Sequence, residues 1–392
     1  MLPQRICRLE VQNFKSLVDF QIDLPKFTCI IGLNGAGKST VLQFIDFLSH
    51  LVRGDMQEWL VERKWKPAEI KSKLTRKMNI EFRVGFCDAT GKSAGQWTGV
   101  YSPGKRRCTS ERIEMSGSVL EATDNTITVK CDKKSSPKTW KNWSGEINFD
   151  YEGSILSALR PDKLPPSLLT CKRMLRTIES LETLTPESLR RRTREAHGSL
   201  GHGGKNLSAF LFELGPDGRR RLAENLKNAY HRLGHVYSKS LRSGWKQLFA
   251  LERFGDVKMV TEATHLNDGM LRMIAIVAEL QSEHQFLLFD EIENGINPEL
   301  VEFVINMLVQ AQQQVLVTTH SPMILNYLED DVARKGVIYL YKTAEGHTQS
   351  IPFFSIPSLS QKLEVMGPGE AFVDTNLTEL AHEIAAISKE PA

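Results

Sequence analysis

The chain has 392 residues, of which 41% are apolar and 25% charged, and its formal net charge is +3. That length suits two or three compact units, and the apolar content excludes a disordered or fibrous chain. Near-neutral charge excludes nucleic-acid binding by bulk charge and leaves only local patches for it.

Two alternating stretches, residues 6–11 and 18–24, predict half-buried strands, with Asn13-Phe14-Lys15-Ser16-Leu17 between them. The apolar run 27–31 predicts a short buried strand, and residues 41–48 carry apolar side chains at helical spacing. Between them Gly32-Leu33-Asn34-Gly35-Ala36-Gly37-Lys38-Ser39 reads G-x-x-x-x-G-K-S, a phosphate-binding loop in the strand–loop–helix setting that such a loop requires. The residue types follow from the chemistry. Asn34, Gly35, Ala36 and Gly37 curl their backbone N–H groups around a phosphate, and the new helix, opening at Lys38, Ser39 and Thr40, points its positive end at the same charge. The Lys38 ammonium then reaches the β- and γ-phosphates, and the Ser39 hydroxyl helps to hold Mg²⁺. A nucleoside triphosphate is the expected ligand.

Residues 56–77 predict a mixed helical stretch, strongly basic from Arg63 to Lys77 and containing Trp65. From 78 to 150 short alternating strands (80–86, 97–101, 112–115, 126–129) predict an antiparallel β-lobe. Pro161, Pro165 and Pro166 open a helical region running to about residue 235, with helices at 168–184, 186–196, 207–214 and 217–233 around a Gly-rich turn at 198–204. Strands return over 236–261. Then follow a helix from 266 to about 280, a strand at 285–289, a helix at 298–313, strands at 315–318, 337–341 and 349–353, and a closing helix at 377–387. The expected division is 1–150 for the N-terminal part with the phosphate loop and β-lobe, 151–235 for a helical insertion, and 236–392 for the C-terminal part.

Three late segments add chemistry. Phe286-Leu287-Leu288-Phe289-Asp290-Glu291 is a buried strand ending in two carboxylates, the Walker B arrangement. Asp290 is placed to hold Mg²⁺, and Glu291 to act as general base on the attacking water. Val315 to Thr318 is a second buried strand, and it leads into His320, whose imidazole can hydrogen-bond a γ-phosphate. Asn267 or Asp268 caps the helix that follows Leu266, so Asn267-Asp268-Gly269 offers another positive helix end to an anion.

Six scattered cysteines (Cys7, Cys29, Cys87, Cys108, Cys131, Cys171), several in apolar strand-like stretches, predict buried free thiols of a reducing compartment. The first five residues lack a signal-peptide core, and no apolar run approaches the roughly 18 residues of a membrane span. The expectation is a cytoplasmic protein with no membrane partner.

In order and spacing, these segments resemble the ABC-type ATPase head of the SMC, RecF and overcoming-lysogenization-defect (OLD) proteins, and most of all the stand-alone ATPases grouped as AAA15 or AAA21. Asn13 to Leu17, the phosphate loop, Leu266 to Arg272, Asp290 to Gly295, Thr318 to Pro322 and the G-x-N-L-like Gly203-Gly204-Lys205-Asn206-Leu207 carry the likeness. It implies an α/β fold, a P-loop NTPase of ABC-ATPase type with an antiparallel β-lobe and an inserted helical region. It also implies ATP and Mg²⁺, and a homodimer or higher homo-oligomer in which one copy's phosphate loop and the other's signature, Asn267-Asp268-Gly269, enclose each ATP. The usual first signature residue is Ser; an Asn amide still donates to a phosphate oxygen. No sustained heptad pattern separates Lys38 from Asn267, and no TOPRIM-type carboxylate set follows His320, so any cutting of nucleic acid is expected of a second polypeptide. The resulting expectation is an ATPase that regulates a separately encoded nuclease or toxin in anti-phage defence; the alternative is a RecF-like DNA-repair ATPase. Arg190 to Arg194 and Arg219 to Arg221, on predicted helices, and Lys133, Lys134, Lys138 and Lys141 interleaved with Trp140 and Trp143, are candidate DNA contacts or solvated, protein-docking faces.

Overall fold

The computed structural model describes residues 4–132, 140–182 and 184–387. The chain divides into two compact units, one joining Met1–Ile178 to Arg334–Pro357 and the other joining Glu179–Ala333 to Ser358–Ala392.

In the first unit, β1 (Arg5–Phe14), β2 (Leu17–Asp23), β3 (Phe27–Gly32), α1 (Lys38–Arg53) and α2 (Met56–Glu62) are followed by β4 (Ile80–Cys87), β5 (Ser93–Ser102), β6 (Arg107–Met115), β7 (Ser118–Thr123), β8 (Thr126–Cys131) and β9 (Trp143–Glu146). The expected β-lobe forms an antiparallel sheet in the order β2-β1-β4-β5-β6-β7-β8-β9. Alternation sets its buried face, as Ile80, Phe82, Val84 and Phe86 of β4 point inward while Glu81 and Arg83 point out. Strand β9 escapes sequence reading because Trp-Ser-Gly-Glu has almost no apolar alternation and lies largely exposed. Lys133, Lys134 and Lys138 lie outside the described residues.

Strand β3 is buried almost throughout and pairs in parallel with a late strand, Val337–Lys342, which pairs antiparallel with Thr348–Pro352. Helix α1 is fixed by an aromatic cluster: Phe14 lies 5.3 Å from Phe44 and 5.4 Å from Phe47, and Phe47 lies 5.8 Å from Trp59 and 5.0 Å from Tyr101. Each such buried ring is worth roughly 1.5–3 kcal/mol over an exposed one. Part of the basic stretch after α1 is used internally. Trp59 Nε1 and Arg63 donate to the buried Asp46 carboxylate at 2.5 and 2.7 Å. Burial alone would raise the Asp46 pKa, but His50, Arg63 and the indole N–H together hold it below the usual range. Lys15 sits 3.2 Å from the centre of the Trp65 ring. The helix therefore stops at Glu62, and only one 3₁₀ turn, Pro67–Glu69, follows in that stretch.

One expectation is corrected here. Cys7 and Cys87 are joined by a disulfide, so two of the six cysteines are not free thiols. Adjacent antiparallel β1 and β4 bring them together, beside register shifts at Ile6/Arg8 in β1 and Phe86/Cys87 in β4. Cys29, Cys108, Cys131 and Cys171 are buried and free, as expected.

Helices α3 (Ile155–Ala158) and α4 (Pro166–Arg176) close the first stretch of that unit. The second unit then runs through β10 (Ile178–Leu181), α5 (Pro186–Leu189), α6 (Leu207–Glu213), α7 (Gly215–Lys227), β11 (Leu233–Ser240), β12 (Lys246–Phe254), β13 (Val257–Glu262), α8 (Asp268–Glu279), β14 (Phe286–Phe289), α9 (Pro298–Gln310) and β15 (Gln314–Thr318). Strands β11, β12 and β13 form an antiparallel sheet of three, and β14 and β15 run parallel. The helix expected over 186–196 is only α5. Arg190 caps its C-terminus and Arg191 closes the last turn on Ser188, after which Thr193 and Lys246 exchange backbone hydrogen bonds of 2.7 and 3.3 Å in a single bridge. Arg219, Arg220 and Arg221 do lie on a helix, α7. No helix among the described residues is long and apolar enough to cross a membrane.

Candidate functional site

The first unit carries the phosphate loop. At Gly32 (φ 146°) an added Cβ would lie 2.4 Å from the Leu340 carbonyl oxygen, and at Gly37 (φ 112°) 2.5 Å from Thr348 Oγ1, so neither position admits a side chain. Gly37 caps α1 without any side-chain hydrogen bond, so no side chain of the cap competes with an anion for the first turn, which contains Ser39 and Thr40. Leu33, Asn34 and Gly35 are exposed at the loop's tip. Lys38 is only 5% exposed, and its ammonium donates to the Gly32 and Leu33 carbonyls at 2.8 and 3.3 Å.

The loop is braced from two distant parts of the chain. Thr348 Oγ1 donates to the Ala36 carbonyl at 2.8 Å and lies 2.8 Å from Ser16 Oγ. This gives physical content to Asn13 to Leu17. Ser16 supports the loop, and Lys15 donates to Gln43 of α1 at 2.7 Å. Asn13, buried at φ 70°, fixes the turn by donating to the Lys77 and Asn79 carbonyls at 3.0 and 2.7 Å.

The second unit carries the carboxylates. Phe289 pairs with Val317 in the parallel ladder, so Asp290 and Thr318 leave the two strands side by side. Thr318 Oγ1 donates to Asp290 Oδ1 at 2.5 Å and accepts from the Glu291 N–H at 2.9 Å. One buried hydroxyl thus orients both carboxylate residues. Glu291 has φ 46°, a conformation that costs a non-glycine residue roughly 1–3 kcal/mol. Its carboxylate accepts from the Asn294 amide and lies 3.7 Å from His320 Nε2. The His320 N–H in turn donates to Glu293 Oε1 at 2.8 Å. The expected base and the expected switch histidine are therefore one pair.

Between the two possible caps of α8, the structure uses Asn267, whose Oδ1 accepts from the Met270 N–H at 2.7 Å. Asp268 pairs with Arg190 at 2.5 Å, and Arg190 also donates to the Leu266 carbonyl at 2.7 Å. Arg272 donates to the Asn294 carbonyl at 2.5 Å, and a Cβ on Gly269 would lie 3.1 Å from the Gly295 carbonyl oxygen. Within this unit the signature segment is thus tied to the loop after Glu291. Burial lowers the Arg272 pKa from its ordinary value.

Ser39 and Thr40 belong to the first unit with Lys38, whereas Asn267, Asp268, Gly269, Asp290, Glu291 and His320 belong to the second. Sequence reasoning did not give Thr318, Asn294, Glu293, Arg190 or Thr348 their roles. Only the pairing of Phe289 with Val317 would have singled out Thr318.

Two family models match the chain: one described as "AAA domain, putative AbiEii toxin, Type IV TA system" over residues 158–326, and one described as "AAA ATPase domain" over residues 5–87. An OLD nuclease of Thermus scotoductus is 49% identical over 49 residues, 12% of this chain and 8% of that protein. The structural maintenance of chromosomes protein 1 of Schizosaccharomyces pombe is 45% identical over 67 residues, 15% of this chain and 6% of that protein. Those two matches therefore span a small part of either relative. Among solved structures, an Smc head bound to the C-terminal winged-helix domain of ScpA matches 88% of this chain and 96% of its own at a TM-score of 0.55 and 14% identity. The Smc head with an extended coiled coil from Pyrococcus furiosus, bound to the C-terminal domain of ScpA, matches 92% and 99% at 0.52 and 12% identity. The α/β architecture with its antiparallel lobe is thus the fold of the Smc head domain.

Proposed function

We propose, from the premise that this chain is an ATPase of the SMC/OLD-like family, that two copies enclose ATP, hydrolyse it and thereby regulate a separately encoded nuclease or toxin in anti-phage defence. The observation that carries the catalytic part is the Thr318 hydroxyl bridging Asp290 and the Glu291 backbone, with Asn294 and His320 on the Glu291 carboxylate.

In this reading the amides of Asn34 to Thr40 take the phosphates and Lys38 neutralises the β- and γ-phosphate oxygens. Ser39 and Asp290 are hard oxygen donors of the kind Mg²⁺ prefers, and the ion would neutralise charge on the phosphates. Glu291 takes the proton of the attacking water, held in place by Asn294. His320, paired with Glu291, aligns that base and meets the γ-phosphate. The partner copy's Asn267-Asp268-Gly269 closes the site, with the Asn267 cap setting the start of the helix that faces the phosphate. The toxin named in the family description and the partial likeness to an OLD nuclease support the defence role. A cytoplasmic setting is supported by the four buried free cysteines and opposed by the Cys7–Cys87 bond.

The test is a mixing experiment. Gly269→Asp puts a carboxylate beside the γ-phosphate in a shared site, and like charges in a partly desolvated interface oppose closure. Gly269→Asp and Lys38→Ala proteins are each expected to lack turnover. A pair with one of each has one doubly damaged and one intact composite site, so mixing should restore part of the ATPase activity. Absence of recovery, with mixed pairs demonstrated by pull-down, overturns the shared site.

A further inference from the structure

We propose that the hollow at the end of the β11–β12 hairpin binds single-stranded nucleic acid. It has a volume of about 670 Å³ and is lined by Arg191, Arg192, Leu241, Arg242 and Trp245, so all of its charge is positive. Trp245 is 40% exposed, a costly position for the largest apolar side chain unless something covers it. The Arg194 guanidinium stands over one face of the Trp245 ring, 5.0 Å from its centre, and leaves the other face to a ligand. Among the described residues Arg192, Arg194 and Arg242 form no ion pair, and Arg191 only approaches Glu187 at 4.0 Å with both side chains largely exposed.

The backbone holds this arrangement in place. Thr193 exchanges hydrogen bonds with Lys246 in a single bridge to β12, and Arg192 and Arg194 flank that bridge in sequence. The Leu241 N–H donates to the Trp245 carbonyl at 2.6 Å and closes the hairpin end. A second exposed ring follows at once: Lys246 lies 4.3 Å and Arg219 5.9 Å from the centre of Phe212, itself 40% exposed.

The ligand class follows from which chemistry meets both features together. Guanidinium forks match phosphate oxygens, and the indole face opposite Arg194 takes a stacked base. A duplex keeps its base faces covered and offers only phosphates. An acidic peptide would meet the arginines and leave the indole bare. A single strand satisfies both, and unlike the nucleotide site this hollow needs no second copy and no hydrolysis.

The test is fluorescence anisotropy of labelled thymidine and uridine oligonucleotides of about twelve nucleotides, a length within the span of such sites, titrated with the full chain. Both single strands are expected to bind more tightly than a duplex of the same length. A preference for uridine would name RNA as the source, and a preference for thymidine would name DNA. Trp245→Ala should weaken binding about tenfold, and Trp245→Phe should keep most of it. Arg191→Glu with Arg242→Glu should weaken it further and flatten its salt dependence by about two phosphate contacts. Arg242→Glu alone, on the exposed hairpin end, reads the same effect where the double variant does not fold. The proposal is overturned by unchanged affinity in the Trp245→Ala and arginine variants, by tighter binding of the duplex, or by binding of a polyglutamate peptide while neither strand binds.

Discussion

The two halves of the nucleotide chemistry are built by opposite means. The phosphate loop is a backbone device: glycines with no room for a Cβ, a helix start without a side-chain cap, and a lysine folded onto two carbonyls. Its support Thr348 touches it through a hydroxyl on the Ala36 carbonyl, and Ser16 holds Thr348 in turn. The carboxylate half is a side-chain device, in which a strained Glu291, 46% exposed, is aimed by Thr318, Asn294 and His320. In the proposed reading the cradle holds phosphates that are charged throughout, whereas the carboxylate network acts on the attacking water alone. Binding and chemistry should therefore separate when each half is damaged.

The strongest break comes at Lys38. Its ammonium is the cation the loop itself supplies, and Lys38→Ala should remove measurable hydrolysis and weaken ATP binding, read by nucleotide-binding fluorescence and phosphate release. Tight ATP binding in that variant would show that the backbone cradle suffices and would erase the comparison from the first side.

Next is Glu291. Glu291→Gln keeps the shape and the capacity to accept from Asn294, so ATP should still bind while turnover falls roughly a hundredfold or more, the scale of a lost general base. The variant should accumulate as paired copies with intact ATP, visible by gel filtration and nucleotide extraction. Turnover within a fewfold of the unchanged protein would remove Glu291 from the role of base.

The same contrast explains what could be read without coordinates. The loop pattern is local, eight consecutive residues from Gly32 to Ser39, so the strand before it and the helix start after it are legible in the sequence. Strands β14 and β15 are apolar runs buried on both faces and were equally plain. Side-chain devices assembled by register were not. Thr318 acts on Asp290 because β14 and β15 are in parallel register, and Ser16 meets Thr348 across 332 residues of chain. The arginine run after α5 carries helical propensity, yet the helix ends at Leu189 and a single bridge ties Thr193 to Lys246 of β12. Cys7 and Cys87 became a pair only once β1 lay beside β4.

The smallest predicted effect concerns the support of the phosphate-loop helix, and it sharpens the comparison because it should leave the chemistry alone. Glu111 of β6 is fully buried and accepts from Ser154 Oγ at 2.6 Å, the Ile155 N–H at 2.7 Å and Trp97 Nε1 at 3.2 Å. The Ser154 N–H donates to the Leu51 carbonyl at 2.7 Å, so this carboxyl anchors the segment lying against the last turns of α1. Burial raises the Glu111 pKa to about 7, against the lowering effect of hydrogen bonds from Ser154, Ile155, Trp97 and Cys108. A raised carboxyl pKa favours the folded state at low pH, where the group is neutral in both states. As pH rises above about 4.5 the unfolded chain loses its proton first, and stability falls until the folded group ionises near 7. The loss is about 3 kcal/mol, or several degrees in Tm for a unit of this size. Burial also raises the Glu279 pKa in the second unit, beside His284 and Glu179, so total pH dependence does not isolate Glu111. Glu111→Gln does: it cannot ionise, and because its one oxygen serves either the Ile155 N–H or the Ser154 and Trp97 donors, it should also lower Tm at every pH. Melting curves between pH 5 and 8, the window these pKa values set, should lose most of that fall in Tm in the variant, while ATP turnover at pH 7 stays within about twofold. An unchanged slope of Tm against pH would mean that the Glu111 carboxyl is not the group that titrates.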